Sequence, residues 1–129
     1  MTKFTELKKI FSTLRGPRGC PWDRRQTHSS LIKNLKEETI EFIKSVRKRD
    51  YHNMKEELGD LLLQVMIHSQ IASENKKFDI EDVISYLVKK LRRRHPHVFG
   101  NVRLKSAKDA LKKWKEIKAG ERMGKEVQR

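Results

Sequence analysis

Two short acidic clusters, Glu37-Glu38-x-x-Glu41 and Glu56-Glu57-x-x-Asp60, repeat one pattern within residues 36 to 60. Lysines and arginines outnumber acids by 31 to 17 over the 129 residues, so six carboxylates in two five-residue clusters need a chemical reason. On a helix, residues three apart lie on neighbouring turns of one face, which makes Glu38 with Glu41, and Glu57 with Asp60, two-carboxylate units. Such like charges repel, and a carboxylate bordering a core is costly unless it is paired or bound to a cation. Four convergent carboxylates form an all-oxygen site that suits Mg²⁺, with Mn²⁺ as a possible substitute, better than zinc. Magnesium held this way keeps several waters and binds substrate phosphates, so the cluster predicts a phosphate ligand. Surface salt bridges to the many lysines would account for a single such motif, but poorly for two copies that both border an apolar row.

The elements that must carry these residues follow from apolar spacing. Phe4, Leu7, Ile10, Phe11 and Leu14 recur at three and four, marking a first helix that ends before Gly16-Pro17. The stretch Gly16 to Asp23 reads as a loop because of its glycines and prolines. A second helix runs from about 27 to 49 on the row Leu31, Leu35, Glu38, Phe42 and Val46, in which Glu38 occupies a place due to a hydrophobe. A third runs from about 52 to 74, and Glu57 and Asp60 begin a row that continues through Gln64, Ile67 and Ile71. The short link between the two predicts an antiparallel pair, which is what lets the two acidic clusters meet. Asp79 is placed to cap a fourth helix that Pro96 stops, and Ser106 to cap a fifth bearing Ala110, Leu111, Trp114 and Ile117 on one side. With no strand-like alternation, the expected fold is all-α: a four-helix-bundle-type core of about five helices. A single domain over 1–129 is expected, with its core at about 4–119 and a frayed tail over 120–129.

Beyond the acids, Lys90, Arg93 and Arg94 share a face at the C-terminal end of the fourth helix, placed to hold terminal phosphates while the metal holds inner ones. Cations also favour helix C-termini through the macrodipole alone. Glu37 and Glu56 sit about a quarter-turn around from the paired acids, to contact substrate or to hold the metal ligands in place. The expected substrate-contacting set is Asn34, Glu37, Lys90, Arg93, Arg94 and Trp114. Cys20 is the single cysteine, so no disulfide within the chain and no thiolate zinc cage can be built. His68, His95 and His97 are read as caps of helix carbonyls or as loop-ordering groups rather than zinc ligands. No apolar run is long enough to cross a bilayer and no secretory signal is evident, so a cytoplasmic protein is expected.

The stretches GCPWDRRQTHSSL, EETIEF, EELGDLLLQVMIHSQIA, RRHPHVFG and ALKKWKEIKAGER, in this order, resemble the MazG nucleoside triphosphate pyrophosphohydrolases from about Gly19 to Arg122. The doubled acidic motif is shared with other all-α nucleotide pyrophosphatases, and the Cys-Pro-Trp-Asp and Arg-Arg-His-Pro-His-Val-Phe stretches narrow the resemblance to MazG. It implies Mg²⁺-dependent cleavage between the α and β phosphates, giving the monophosphate and pyrophosphate, by a helical dimer or higher homo-oligomer that completes the core. It places metal ligands on Glu38, Glu41, Glu57 and Asp60, and nucleotide contacts on the Lys90 to Arg94 stretch and Trp114. Glu41 is the residue assigned to accept the proton of the attacking water. Members often carry two such domains in tandem, whereas this sequence carries one, with a basic excess that is high for the family.

The formal net charge of +14 raises a rival reading, a basic helical nucleic-acid-binding module without catalysis. That module would have no use for Glu38, Glu41, Glu57 or Asp60. A helical scaffold without chemistry is a third reading, and it too would tolerate Glu57→Gln.

Overall fold

The computed structural model describes residues 1–128, with side chains through Gly124. Among them are seven helices and no strand: α1 (Lys3–Leu14), α2 (Pro21–Arg25), α3 (Ile32–Arg47), α4 (Tyr51–Glu74), α5 (Ile80–Arg94), α6 (Pro96–Phe99) and α7 (Ala107–Gln128). The chain divides into two compact units, Met1–Ile80 and the remainder from Glu81. The five long helices are those read from the periodicity, except that the second, expected from about 27, starts at Ile32 after a turn over residues 28–31, and the all-α expectation holds. The two short ones correct it locally, because Gly16 to Asp23 and the stretch after His95 are not wholly irregular. Pro21 and Pro96 each open a helical turn, where the fixed φ of proline suits the first helical position and its missing N–H costs nothing. Residues 120–128, expected as a frayed tail, continue α7, and Arg129 lies outside the described residues.

In the first unit, α3 and α4 pack along each other and α1 packs on α4. The reversal between α3 and α4 is built from residues 48–50. Arg49 adopts φ 54°, its N–H donates to the Val46 carbonyl (3.1 Å), and the Asp50 N–H donates to the Ser45 carbonyl (3.1 Å). These are the paired bonds that close a helix through a left-handed residue. Asp50 then starts the next helix, its carboxylate accepting from the Asn53 N–H at 3.2 Å. A three-residue link of this geometry leaves α4 no direction but back along α3, so the acidic clusters are brought level by local hydrogen bonding.

The core of this unit is Phe11, Leu31, Met66, Ile67, Ile71, Ala72 and Ile80. Of the row predicted for the second helix, Leu31, which caps α3, is buried, while Leu35 and Val46 on α3 are exposed, as are Leu58, Leu62 and Leu63 on α4. Arg15 ties the loop to this core. Its guanidinium donates to Glu74 at 2.7 Å and to the backbone carbonyls of Asp23 and Gln26. Gly19 is required beside it, since a Cβ there would lie 2.0 Å from the Leu14 carbonyl oxygen.

In the second unit, α5 and α7 are joined by Glu121, which accepts from Arg93 Nε and, at 2.8 Å, from Arg94 Nη2. The Arg94 guanidinium also lies over the Trp114 ring, 4.6 Å from its centroid. Ser106 caps α7 as predicted, its hydroxyl accepting from the Asp109 N–H at 3.1 Å.

Candidate metal centre

The antiparallel pairing places Glu38 of α3 against Glu57 and Asp60 of α4. One carboxylate oxygen from each lies within 4.8 Å of the others, and all three residues are half-buried. This is the one such group among the described residues. Three carboxylates held that close should resist ionising together, and Glu38 does. Burial first, then hydrogen bonding to Glu57 and the charge of Asp60, pushes its carboxyl from 4.5 up to about 7. A group so raised is one that a divalent ion would return to its ionised form.

The donor set fits the magnesium or manganese expected from the sequence. It is all oxygen, carries several negative charges, and contains no thiolate or imidazole. Glu38, Glu57 and Asp60 would hold the ion. Glu41, the fourth expected ligand, is not brought into the group; it is exposed and lies 3.6 Å from Lys44 on its own helix. Glu37 is exposed and Asn34 half-buried on α3, while Glu56 lies 3.0 Å from His52.

Of the expected phosphate and base contacts, all in the second unit, Lys90 lies over the Tyr86 ring at 5.9 Å. Arg93 and Arg94 are engaged by Glu121, and Arg94 is buried on Trp114. Their hydrogen bonds, Arg94's first, hold the Glu121 carboxyl down at about 2. The sequence reading missed Glu121 because 27 and 28 residues separate it from its arginines, a distance no helical period spans.

The histidines take the structural places expected of two of them. His95 Nδ1 lies 2.7 Å from the Leu91 carbonyl, and His97 is tilted against His95. His68 instead pairs with His28, with Nδ1 atoms 2.7 Å apart and near-parallel rings 5.0 Å apart. Burial, and secondarily His28, lowers the pKa of His68. The signal for this pair was available in the register. His28 stands ten residues before Glu38, and His68 eight after Asp60.

An all-α fold in which two antiparallel helices present an acidic trio offers a set of carboxylates that could hold a divalent ion. Residues 26–99 match the family model described as the MazG nucleotide pyrophosphohydrolase domain. The chain belongs to the MazG family. It is 52% identical over 119 residues to the nucleoside triphosphate pyrophosphohydrolase/pyrophosphatase MazG of Thermotoga maritima, covering 92% of this chain and 45% of that protein. It is 38% identical over 123 residues to the nucleoside triphosphate pyrophosphohydrolase of Escherichia coli K12, covering 95% of this chain and 47% of that one. The chain thus spans just under half the length of these curated relatives. The crystal structure of a mazG-related protein from Thermotoga maritima superposes with a TM-score of 0.72 at 31% identity, covering 89% of this chain and 98% of that chain.

Proposed function

We propose that this protein is a Mg²⁺-dependent nucleoside triphosphate pyrophosphohydrolase that cleaves between the α and β phosphates, releasing the monophosphate and pyrophosphate. The observation that carries the reading is the convergence of Glu38, Glu57 and Asp60 from two helices on one point, with Glu38 raised to about 7 by burial and its acidic neighbours. The names of the relatives support the same chemistry. A divalent cation bound there supplies a Lewis acid for the α-phosphate and acidifies the attacking water.

The residues of the chain divide the remaining work. Glu38, Glu57 and Asp60 fix the position of the cation between two rigid helices. Glu41, one turn along α3 and outside the trio, accepts the proton of the attacking water. Asn34 and Glu37 contact the nucleotide from α3. Lys90, Arg93, Arg94 and Trp114 belong to the second unit, where Glu121 already pairs with Arg93 and Arg94 and Arg94 covers Trp114. The exposed leucines of α4 are the surface a second copy of the chain would cover, in a homo-oligomer acting in the cytoplasm. No helix of the described residues is long and apolar enough to cross a membrane.

Glu57→Ala and Asp60→Ala test the assignment. Each should lower turnover of nucleoside triphosphates by about two orders of magnitude or more while circular dichroism shows the fold retained. Near-normal turnover in both folded variants would remove the trio from the chemistry.

A further inference from the structure

The antiparallel register that joins the carboxylates extends beyond them. Four residues back from Glu38 on α3 is Asn34, and four residues on from Asp60 on α4 is Gln64. Helices running in opposite directions carry these two positions away from the carboxylates in the same direction along the pair. Beyond them come Leu31 and Ile67, each 1% exposed, and then the stacked His28–His68 pair. The His28–His68 contact joins the turn before α3 to α4 at this end of the pair.

Gln64 is the anomaly in this series. It is 4% exposed, yet its Oε1 is fully buried and meets no hydrogen-bond partner among the described residues. An unmet buried acceptor costs about 1–3 kcal/mol, and leucine or methionine would fill the same place in the core row without that cost. Native interiors satisfy such atoms with protein groups or with ordered water. Magnesium and manganese held by carboxylates retain several waters, whose hydrogens need acceptors. Gln64 lies about one helical turn on from Asp60, a rise of about 6 Å, on the same face of α4.

We infer that Gln64 belongs to the metal centre: its side-chain oxygen accepts a hydrogen bond from water in the hydration shell of the cation. The inference rests on the metal centre of the proposed function but not on the identity of the reaction. Gln64 acts as a positioning residue. It orients the water, and the Leu31 and Ile67 side chains beneath it keep bulk solvent from competing for that water.

The test uses Mn²⁺ alone, without nucleotide, with free ion counted by electron paramagnetic resonance in titrations of the full chain. Gln64→Met, which keeps the length and removes the acceptor, should weaken Mn²⁺ binding about tenfold or more, the size typical of losing a partner to a metal's ligand shell. Gln64→Glu, which restores an acceptor oxygen, should bind at least as tightly as the wild type. Thermal unfolding in EDTA supplies a second readout. Gln64→Met should be no less stable than the wild type, because the unmet acceptor is gone. If Glu57→Gln loses Mn²⁺ while Gln64→Met binds it as the wild type does, the role of Gln64 is overturned and the metal centre stands. The role is equally overturned if Gln64→Met is markedly less stable but its folded fraction binds normally, since Gln64 is then structural. Unchanged binding in Glu57→Gln and Asp60→Asn overturns the metal centre itself. Should Gln64→Met fail to fold, Gln64→Asn, which draws the oxygen back by one methylene, replaces it with the same expected weakening, and normal binding in it would overturn the role.

Discussion

Replacing Glu38 by glutamine should make the metal-free protein more stable at alkaline pH while abolishing its response to metal. Without a cation, burial and the proximity of Glu57 and Asp60 raise the Glu38 carboxyl from 4.5 to about 7. At about 1.4 kcal/mol per pH unit, such a rise has a ceiling near 3 kcal/mol. Glu38 is only half-buried, and solvent screening reduces this to about 1–2 kcal/mol. The sign follows from linkage. A carboxyl raised in the folded state contributes stability that is complete below its unfolded value near 4.5 and is lost as pH climbs through 7. Glutamine keeps the shape and loses the charge, so it does not suffer that decline. Thermal unfolding in EDTA should therefore give nearly equal midpoints for wild type and Glu38→Gln at pH 4.5. At pH 8 the variant should be higher by about 3–8 °C for a chain of this size. Adding Mg²⁺ or Mn²⁺ at pH 8 should raise the wild type and leave the variant unmoved. A variant no more stable than wild type at pH 8, or a gap of equal size at both pH values, would refute the crowding on which the metal assignment depends.

Two further substitutions test the framework. Gly19→Ala would put a Cβ 2.0 Å from the Leu14 carbonyl oxygen and 2.5 Å from that of Thr13, so the backbone must move; a loss of about 2–4 kcal/mol in denaturant unfolding is expected, and one under about 0.5 kcal/mol would contradict the packing. Glu121 is held at about 2 by Arg94 and Arg93, so its contribution is present above 4.5 and disappears as pH falls through 2. Glu121→Gln should thus cost about 1 kcal/mol at pH 7 and nothing near pH 2, and a cost independent of pH would show that packing rather than charge joins α5 to α7.

The long helices were legible because each writes its own period into the sequence, and the carboxylate trio was legible because two such periods were interrupted by acids at matching spacing. Gln64 left a weaker trace, as the polar member of the row that runs from Glu57 and Asp60 to Ile71, and only burial reveals its unmet oxygen. The ion pairs of Glu121 and the clamp of Arg15 on Asp23, Gln26 and Glu74 join residues remote in sequence. No local pattern announces contacts of that kind. The turns at Pro21 and Pro96 were hidden for the opposite reason. Proline reads as a breaker, yet at the first helical position it breaks nothing. Glu41 shows the limit of spacing: it shares a helix face with Glu38, but its carboxylate faces Lys44.

The proposed chemistry stands or falls on the product released from a panel of canonical and modified nucleoside triphosphates, with Mg²⁺ and with EDTA. Pyrophosphate, not orthophosphate, is expected in the presence of Mg²⁺, and neither with EDTA. Orthophosphate release, metal-independent turnover, or no turnover of any nucleotide would contradict it; the last result, with binding to nucleic acid that falls steeply across a salt series, would transfer the function to the basic surface.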